Sequence, residues 1–329
     1  MKLLIAYGTR PEYLKIKPLL EIEKFYTLRV RQHGDIIDFG NPNHILEIDK
    51  KCNNRLNNIF SEIFNKLENV LINYDAILIQ GDTATVAACA IAAFNLKKKI
   101  IYLESGLRSF DFQNPFPEEA YRQMVSRIAD INLCPTYLSK QNLENEKVLG
   151  KIFVVGNTSL DNLMHIKDDS NYLNKVLITL HRSENLDKLD SWYEELDKIA
   201  LKHKDLEFIY PVHPNPLILE KSKILKNIKV INALAHSELL EVMKKCKLII
   251  TDSGGIQEEA SFLNKKVIVC RKTTERPEAI RTGHIKLCKD PNNLELLFEE
   301  IVNNYFINSE CPYGDGRSSE KILKILNER

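Results

Sequence analysis

No apolar run in the 329-residue chain approaches the ~20 residues that a membrane-spanning helix requires, so a helical membrane span is not expected. There is no Cys-x-x-Cys pair. The seven cysteines, at positions 52, 89, 134, 246, 270, 288 and 311, are odd in number and irregular in spacing. Several lie inside apolar runs such as "VIVC" and "INLC". Free buried thiols in a reducing compartment explain that pattern better than a disulfide frame or a zinc site. There is no charge of one sign to spare: 46 Lys and Arg against 45 Asp and Glu leave +1, which argues against nucleic acid or a membrane surface as partner. The Walker loop and the G-x-G-x-x-G fingerprint are both missing, as are internal repeats and low-complexity segments. "MKLLIAYG" runs straight into a Gly-Thr-Arg-Pro turn without the pattern of a cleaved leader, and the expectation is a soluble, cytoplasmic protein.

What is present is a regular alternation. "KLLIAY", "TLRVRQ", "DAILIQ", "KIIYLE", "INLC" and "IFVV" read as buried strands of a first half, and "KVLITL", "LEFIYP", "IKVINA", "KLIITD" and "KKVIVC" as those of a second. Helical periodicity fills segments between them, for example 56–72 and 189–203. Continuous apolar strands alternating with helices imply parallel sheets covered on both faces. The length exceeds what one core usually supports. The fold class expected is therefore α/β, with two Rossmann-like parallel-sheet domains and a cleft between them. The first spans 1–165 and the second 172–310, joined by the polar stretch 165–175, with a closing helix in 311–329.

Ligands of such sheets bind outside the carboxyl ends of the strands, so the residues that directly follow strands carry the information. "GTRPEYLK" offers Gly8 for a tight turn, Pro11 for a helix start, Arg10 toward the crevice and Lys15 one turn on. In "QGDTATVAACA", Asp82 admits two roles, helix cap or catalytic carboxylate. Glu104 leaves the apolar strand of "IIYLESGLRS" directly, which suits a cleft because a buried lone carboxylate is costly. In "NPFPEEAYR", Glu118 and Glu119 suit the helix dipole. Glu118 with Arg122 is either an ordinary i, i+4 ion pair or a tuned cleft carboxylate.

The second half has His181 and Arg182 after "VLITL" and His213 between the prolines of "FIYPVHPNP". Each histidine is either structural or a proton and phosphate contact, and neither fits a metal spacing. In "TDSGGIQEEA", Ser253, Gly254 and Gly255 open a helix whose free N–H groups suit an anion. "RKTTERPEAI" adds Arg271, Thr273, Thr274, Glu275 and Arg276, a second phosphate contact. An anion site in one half and Asp82, Glu104 and Glu118 in the other is a layout for proton abstraction with loss of a phosphate ester.

The blocks "GTRPE", "GDT", "ESGLRS", "PFPEEAYR", "GNTSLD", "HRSEN", "PVHPNP", "TDSGGIQEEA", "TTERPEAI" and "PYGDGRSS", in this order from residue 4 to about 318, resemble the non-hydrolysing UDP-N-acetylglucosamine 2-epimerases. The resemblance implies a fold like the GT-B glycosyltransferases, a homodimer, and no metal or other cofactor. It implies a UDP-sugar substrate, epimerised at C2 from UDP-GlcNAc to UDP-ManNAc through elimination to a 2-acetamidoglucal and re-addition of UDP. By motif, Asp82, Glu104 and Glu118 would be the acid and base carboxylates, and His181 would assist the leaving diphosphate or act as an acid. Arg10, His213, Ser253, Gly254, Gly255 and Arg276 would bind UDP and Glu259 its ribose, with Lys15 and Arg122 supporting. Glu258 reads as a charge that merely suits the helix dipole.

The chain departs from the family at Gly34 and Ser183, where arginines are usual, and in the short segment near 47–55. In bacterial members these regions bind a second substrate molecule, so hyperbolic kinetics are expected here. The same departures leave room for a related sugar nucleotide, an N-acetylated uronate or a 6-deoxy sugar. Rival activities are a hydrolysing 2-epimerase, against which "GTRPE" and "PFPEE" argue, and a GT-B glycosyltransferase, which would not need the three carboxylates.

Overall fold

The computed structural model describes residues 1–31, 40–49, 54–164, 173–274, 276–307 and 309–328, and of Ser183 the backbone alone. Gly34, residues 50–53 of the short segment, residues 165–172 of the expected linker and Glu275 lie outside them. The chain forms two compact units, Met1–Met164 with Gly314–Arg329, and His165–Tyr313. Among the described residues no helix is long and apolar enough to cross a membrane.

The first unit is built on seven parallel strands: β1 (Leu3–Tyr7), β2 (Tyr26–Arg31), β3 (His44–Glu47), β4 (Ala76–Gln80), β5 (Lys99–Leu103), β6 (Ile131–Cys134) and β7 (Lys151–Val154). They lie in the order β3-β2-β1-β4-β5-β6-β7. Its helices are α1 (Arg10–Ile22), α2 (Arg55–Leu71), α3 (Ala84–Asn95), α4 (Glu118–Ile128) and α5 (Tyr137–Asn145).

Because successive strand residues point to opposite faces, β1 serves two cores. Leu4 and Ala6 pack with Ile63, Leu67 and Ala87 of α2 and α3, whereas Leu3, Ile5 and Tyr7 pack with Ile16 and Leu19 of α1. Each large side chain so buried stabilises the unit by about 1.5–3 kcal/mol. The second core also takes Ile322 and Leu326 from the last helix of the chain, Ser318–Asn327. Its start is held by Asp161, whose carboxylate accepts from Ser318 N at 3.0 Å and Ser319 N at 2.6 Å. The blocks "GNTSLD" and "PYGDGRSS" thus meet in a structural joint that closes this unit.

The second unit carries six parallel strands: β8 (Lys175–Thr179), β9 (Glu207–Pro211), β10 (Lys229–Ile231), β11 (Leu248–Thr251), β12 (Lys266–Cys270) and β13 (Ile285–Cys288). Their order is β10-β9-β8-β11-β12-β13. With them go α6 (Leu189–Lys202), α7 (Pro216–Lys221), α8 (His236–Lys245), α9 (Gly254–Phe262), α10 (Glu278–Arg281) and α11 (Leu294–Val302), while Ser318–Asn327 is α12. Trp192, Tyr193 and Leu196 of α6 pack on Val176, Ile178 and Phe208 of the sheet.

The expected helices 56–72 and 189–203 correspond to α2 and α6 within one residue. Two strands went unread, β3 and β13. Both are four residues long with mixed burial, at sheet edges where one side needs no continuous apolar run.

Candidate active site

In the first unit the chemistry collects at the carboxyl ends of β1, β4 and β5. Glu104 follows β5 with φ of +65°, a left-handed conformation that costs an L-residue about 1–2 kcal/mol. Its two oxygens are both engaged, Oε1 by Lys15 Nζ from α1 and Oε2 by Gln80 Nε2 from the end of β4. The side chain is one-tenth exposed. The apolar strand therefore delivers a carboxylate that is aimed by its backbone and fixed by a cation and an amide.

Asp82 follows β4, the strand paired with β5. The capping role falls to Thr83, whose hydroxyl accepts from Val86 N at the start of α3, so Asp82 is not the cap. Asp82 Oδ2 instead accepts from Arg122 of α4, Nε at 2.8 Å and Nη2 at 2.6 Å. Arg122 also reaches Glu119 at 3.4 Å. The i, i+4 pairing of Glu118 with Arg122 does not form, because the guanidinium is drawn across to Asp82 by tertiary packing. Glu118, at the first position of α4, keeps a buried Oε2 with no hydrogen-bond partner among the described residues.

Two further carboxylates hold the loops. Glu12 is buried and accepts from Gly8 N, Thr9 N at 3.0 Å and Thr83 Oγ1 at 2.6 Å. Burial raises its pKa above the usual carboxylate range, against those hydrogen bonds, and nearby Asp82 adds to the rise. It binds the "GTRPE" turn to the loop that carries Asp82. Glu119, fully buried, accepts from Ser109 N at 2.9 Å and Phe110 N at 3.2 Å and so fixes the loop after "ESGLRS". Arg108 is structural as well, paired with Glu146 through Nε and Nη2 at 2.7 and 2.8 Å. Arg10, the first residue of α1, is exposed.

In the second unit, Asp252 is the hub. It follows β11, is fully buried, and accepts from His181 N, from Arg182 N at 2.9 Å and from Asn185 Nδ2 at 3.0 Å. His181 Nδ1 lies 3.6 Å from the same carboxylate. The rings of His181 and His213 stack, 5.4 Å between centroids and 11° from parallel. Burial holds the His181 imidazole below its ordinary pKa, with Asp252 opposing and His213 and Arg182 reinforcing the shift, so the ring is neutral at pH 7.

α9 begins beside them. Its N-cap is Ser253, which makes no side-chain capping bond, so the amides of the first turn are left for a ligand or water. The two glycines differ. A Cβ on Gly254 would come within 2.9 Å of Arg276 Nη1, while one on Gly255 would meet nothing within 4 Å. Arg276 is buried under this turn with Nε 2.6 Å from Glu258 Oε1, and its carbonyl accepts from Tyr313 Oη at 3.3 Å. Glu258 is therefore a buried ion-pair partner and not a dipole charge alone, a role that needs the tertiary approach of the loop after β12. Glu259 Oε1 lies 2.8 Å from His236 Nε2. Arg271 pairs with Glu184 at 2.7 Å, and Thr274 Oγ1 donates to Gln257 at 3.3 Å.

A family model described as UDP-N-acetylglucosamine 2-epimerase matches residues 27–327. The UDP-N-acetylglucosamine 2-epimerase of Campylobacter jejuni is 37% identical, over 99% of this chain and 97% of its own length. The UDP-GlcNAc 2-epimerase of Neisseria meningitidis, solved bound to UDP-GlcNAc, is 31% identical with a TM-score of 0.88 over 100% of both chains. That of Methanocaldococcus jannaschii, solved in complex with UDP-GlcNAc and UDP, is 32% identical with a TM-score of 0.81, again over 100% of both. The chain belongs to the UDP-N-acetylglucosamine 2-epimerase family. Its GT-B-like fold is shared more widely: the glycotransferase of kitacinnamycin, 11% identical, aligns with a TM-score of 0.62.

In this family member the sequence motifs lead to Asp82, Glu104, Lys15, Arg122, His181 and the α9 turn, but not to the groups that hold them. Glu12 is signalled by Thr9-x-x-Glu12, a capping box with reciprocal bonds. Asp252 is signalled by the logic that marks Glu104, an acid leaving an apolar strand. Gln80, a polar end to a buried strand, is a fainter case of the same kind.

Proposed function

We propose that this enzyme interconverts UDP-GlcNAc and UDP-ManNAc without hydrolysis, by removing and returning the C2 proton while UDP leaves and re-adds at C1. The observation that supports this most strongly is that Asp82 and Glu104, at the carboxyl ends of neighbouring strands, are each held by a cation, Arg122 and Lys15. The C2–H pair becomes the C1=C2 bond of 2-acetamidoglucal, and the C1–O pair departs with UDP. The reverse addition protonates the opposite face. Such a proton is weakly acidic, so the step needs both a placed base and a stabilised leaving group. Asp82, Glu104 and Glu118 are the assigned acid and base set, with Glu118 Oε2 unpartnered among the described residues. The Ser253 hydroxyl and the amides of Gly254 and Gly255, with Arg10, His181 and His213, are assigned to the diphosphate; the Ser253 amide itself donates to Thr251 Oγ1 at 3.0 Å. Arg276 is assigned to the same site, and Glu259 to the ribose.

Incubation with UDP-GlcNAc in D2O tests the reading by NMR. Deuterium at C2 of UDP-ManNAc with no free sugar is the expected result. Release of free ManNAc selects the hydrolytic course, and no turnover selects another sugar nucleotide. A hyperbolic rate curve follows from the proposed absence of a second substrate site. A sigmoidal rate curve in UDP-GlcNAc, or dependence of the reverse reaction from UDP-ManNAc on trace UDP-GlcNAc as activator, counts against it. We also assign a homodimer, for which light scattering should return twice the chain mass.

A further inference from the structure

His236 is the first residue of α8, after β10, and Glu259 lies in the second turn of α9, after β11. The 2.8 Å bond between His236 Nε2 and Glu259 Oε1 ties two helices that start from different strands. The His236 side chain is 39% exposed and that of Glu259 only 10%, so the imidazole can be changed without opening a core. A carboxylate at this distance accepts, so Nε2 carries the proton and donates. Among the described residues Glu259 Oε2 has no protein donor. The start of α8 is itself fixed, because Ala235 N donates to Glu238 Oε2 at 2.8 Å.

We infer that His236 is a positioning residue for nucleotide recognition: by donating to Oε1 it sets the plane of the Glu259 carboxylate and leaves Oε2 to accept a ribose hydroxyl. This rests on the reading of α9 as the UDP site. A carboxylate swinging through its rotamers would lose side-chain entropy on binding that one already held has lost on folding. The strand-end sequence gives no hint of the pair, since His236 and Glu259 are 23 residues apart.

Calorimetric titration of the full chain with UDP and with 2′-deoxy- and 3′-deoxy-UDP tests it, on wild type, His236→Ala, His236→Gln and Glu259→Gln. His236→Ala should weaken UDP about twofold to tenfold, the size of the entropy lost in ordering one rotamer-rich side chain on binding. It should weaken at least one deoxy analogue much less, so that discrimination between them falls, while the thermal midpoint, which records the loss of the same bond from the fold, drops by no more than about 2–4 °C. His236→Gln, whose amide reaches the same oxygen, should recover part of the loss. If His236→Ala binds UDP as well as or better than wild type, with discrimination intact, His236 only covers the carboxylate when no ligand is bound and the inference fails alone. If Glu259→Gln matches wild type, the ribose assignment fails with it. If wild type itself does not bind UDP, the functional reading fails and takes the inference down too.

Discussion

Arg122 holds two acids at once: Nη2 lies 2.6 Å from Asp82 Oδ2 and Nη1 3.4 Å from Glu119 Oε2. Asp82 is assigned above to the reaction and Glu119 supports the 109–110 loop, so on that assignment one guanidinium couples catalysis to architecture. A lysine would keep the charge and lose the fork. Arg122→Lys should lower kcat/KM by roughly 10- to 100-fold and stability by about 1–3 kcal/mol. Arg122→Met should cost more in both, because buried Glu119 then lacks its cation. Steady-state kinetics and urea unfolding on the same preparations check the pair of effects.

The backbone at Glu104 makes a controlled comparison possible. Glu104→Gly and Glu104→Ala both remove the carboxylate and both strip Lys15 and Gln80 of their partner. Only glycine relieves the φ of +65°. The Gly variant should be more stable than the Ala variant by about 1 kcal/mol, and both should be inactive. Equal stabilities would mean that the loop relaxes and that no strain is stored for the placement of Glu104.

Those two cases also show what sequence can carry. Most strands of the sheet interiors were legible because they are largely apolar runs, and Asp82, Glu104 and His181 because they lie within two residues of the ends of such runs. Which cation serves which acid was not legible. An i, i+4 spacing suggested Glu118 for Arg122, and packing of α4 beside the β4 loop gave it Asp82. Glu258 and Glu119 look like ordinary helix carboxylates, and only the tertiary approach of Arg276 and of the 109–110 amides places them in specific bonds, while Glu12, legible locally as a capping box, gains Thr83 as a distant partner. Local chemistry is written in local sequence, and its second partner is not.

Stability should fall on acidification through the second unit. Burial lowers the His284 imidazole from its ordinary 6.5 to about 4, and His284 Nε2 is buried without a partner. The unfolded state takes its proton as pH drops below 6.5 while the folded state refuses it. Stability is therefore full above 6.5, declines toward about 4, and levels off once the folded group also protonates. The gap corresponds to at most about 3 kcal/mol. His181, lowered in the same direction by burial, adds to the slope. Urea unfolding across this range should show the decline, and His284→Gln should flatten much of it. An unchanged slope in the variant would assign the acid sensitivity to other groups.

The two glycines of "TDSGG" give opposite outcomes on the same substitution. Gly254→Ala drives a methyl to 2.9 Å from Arg276 Nη1 and 3.1 Å from its Cζ, and Arg276 is not free to retreat because Nε is bound to Glu258. The variant should lose about 1–3 kcal/mol of stability and, with Arg276 displaced, UDP affinity as well. Gly255→Ala meets nothing within 4 Å and replaces a helical glycine, so the fold should be unchanged or firmer by up to about 1 kcal/mol. Its methyl nonetheless projects into the open space at the amides of α9, where the diphosphate is assigned. UDP affinity should fall with no loss of stability. If Gly255→Ala binds UDP like wild type, the diphosphate does not approach the helix at this residue, and the bare backbone there serves some other purpose than the nucleotide.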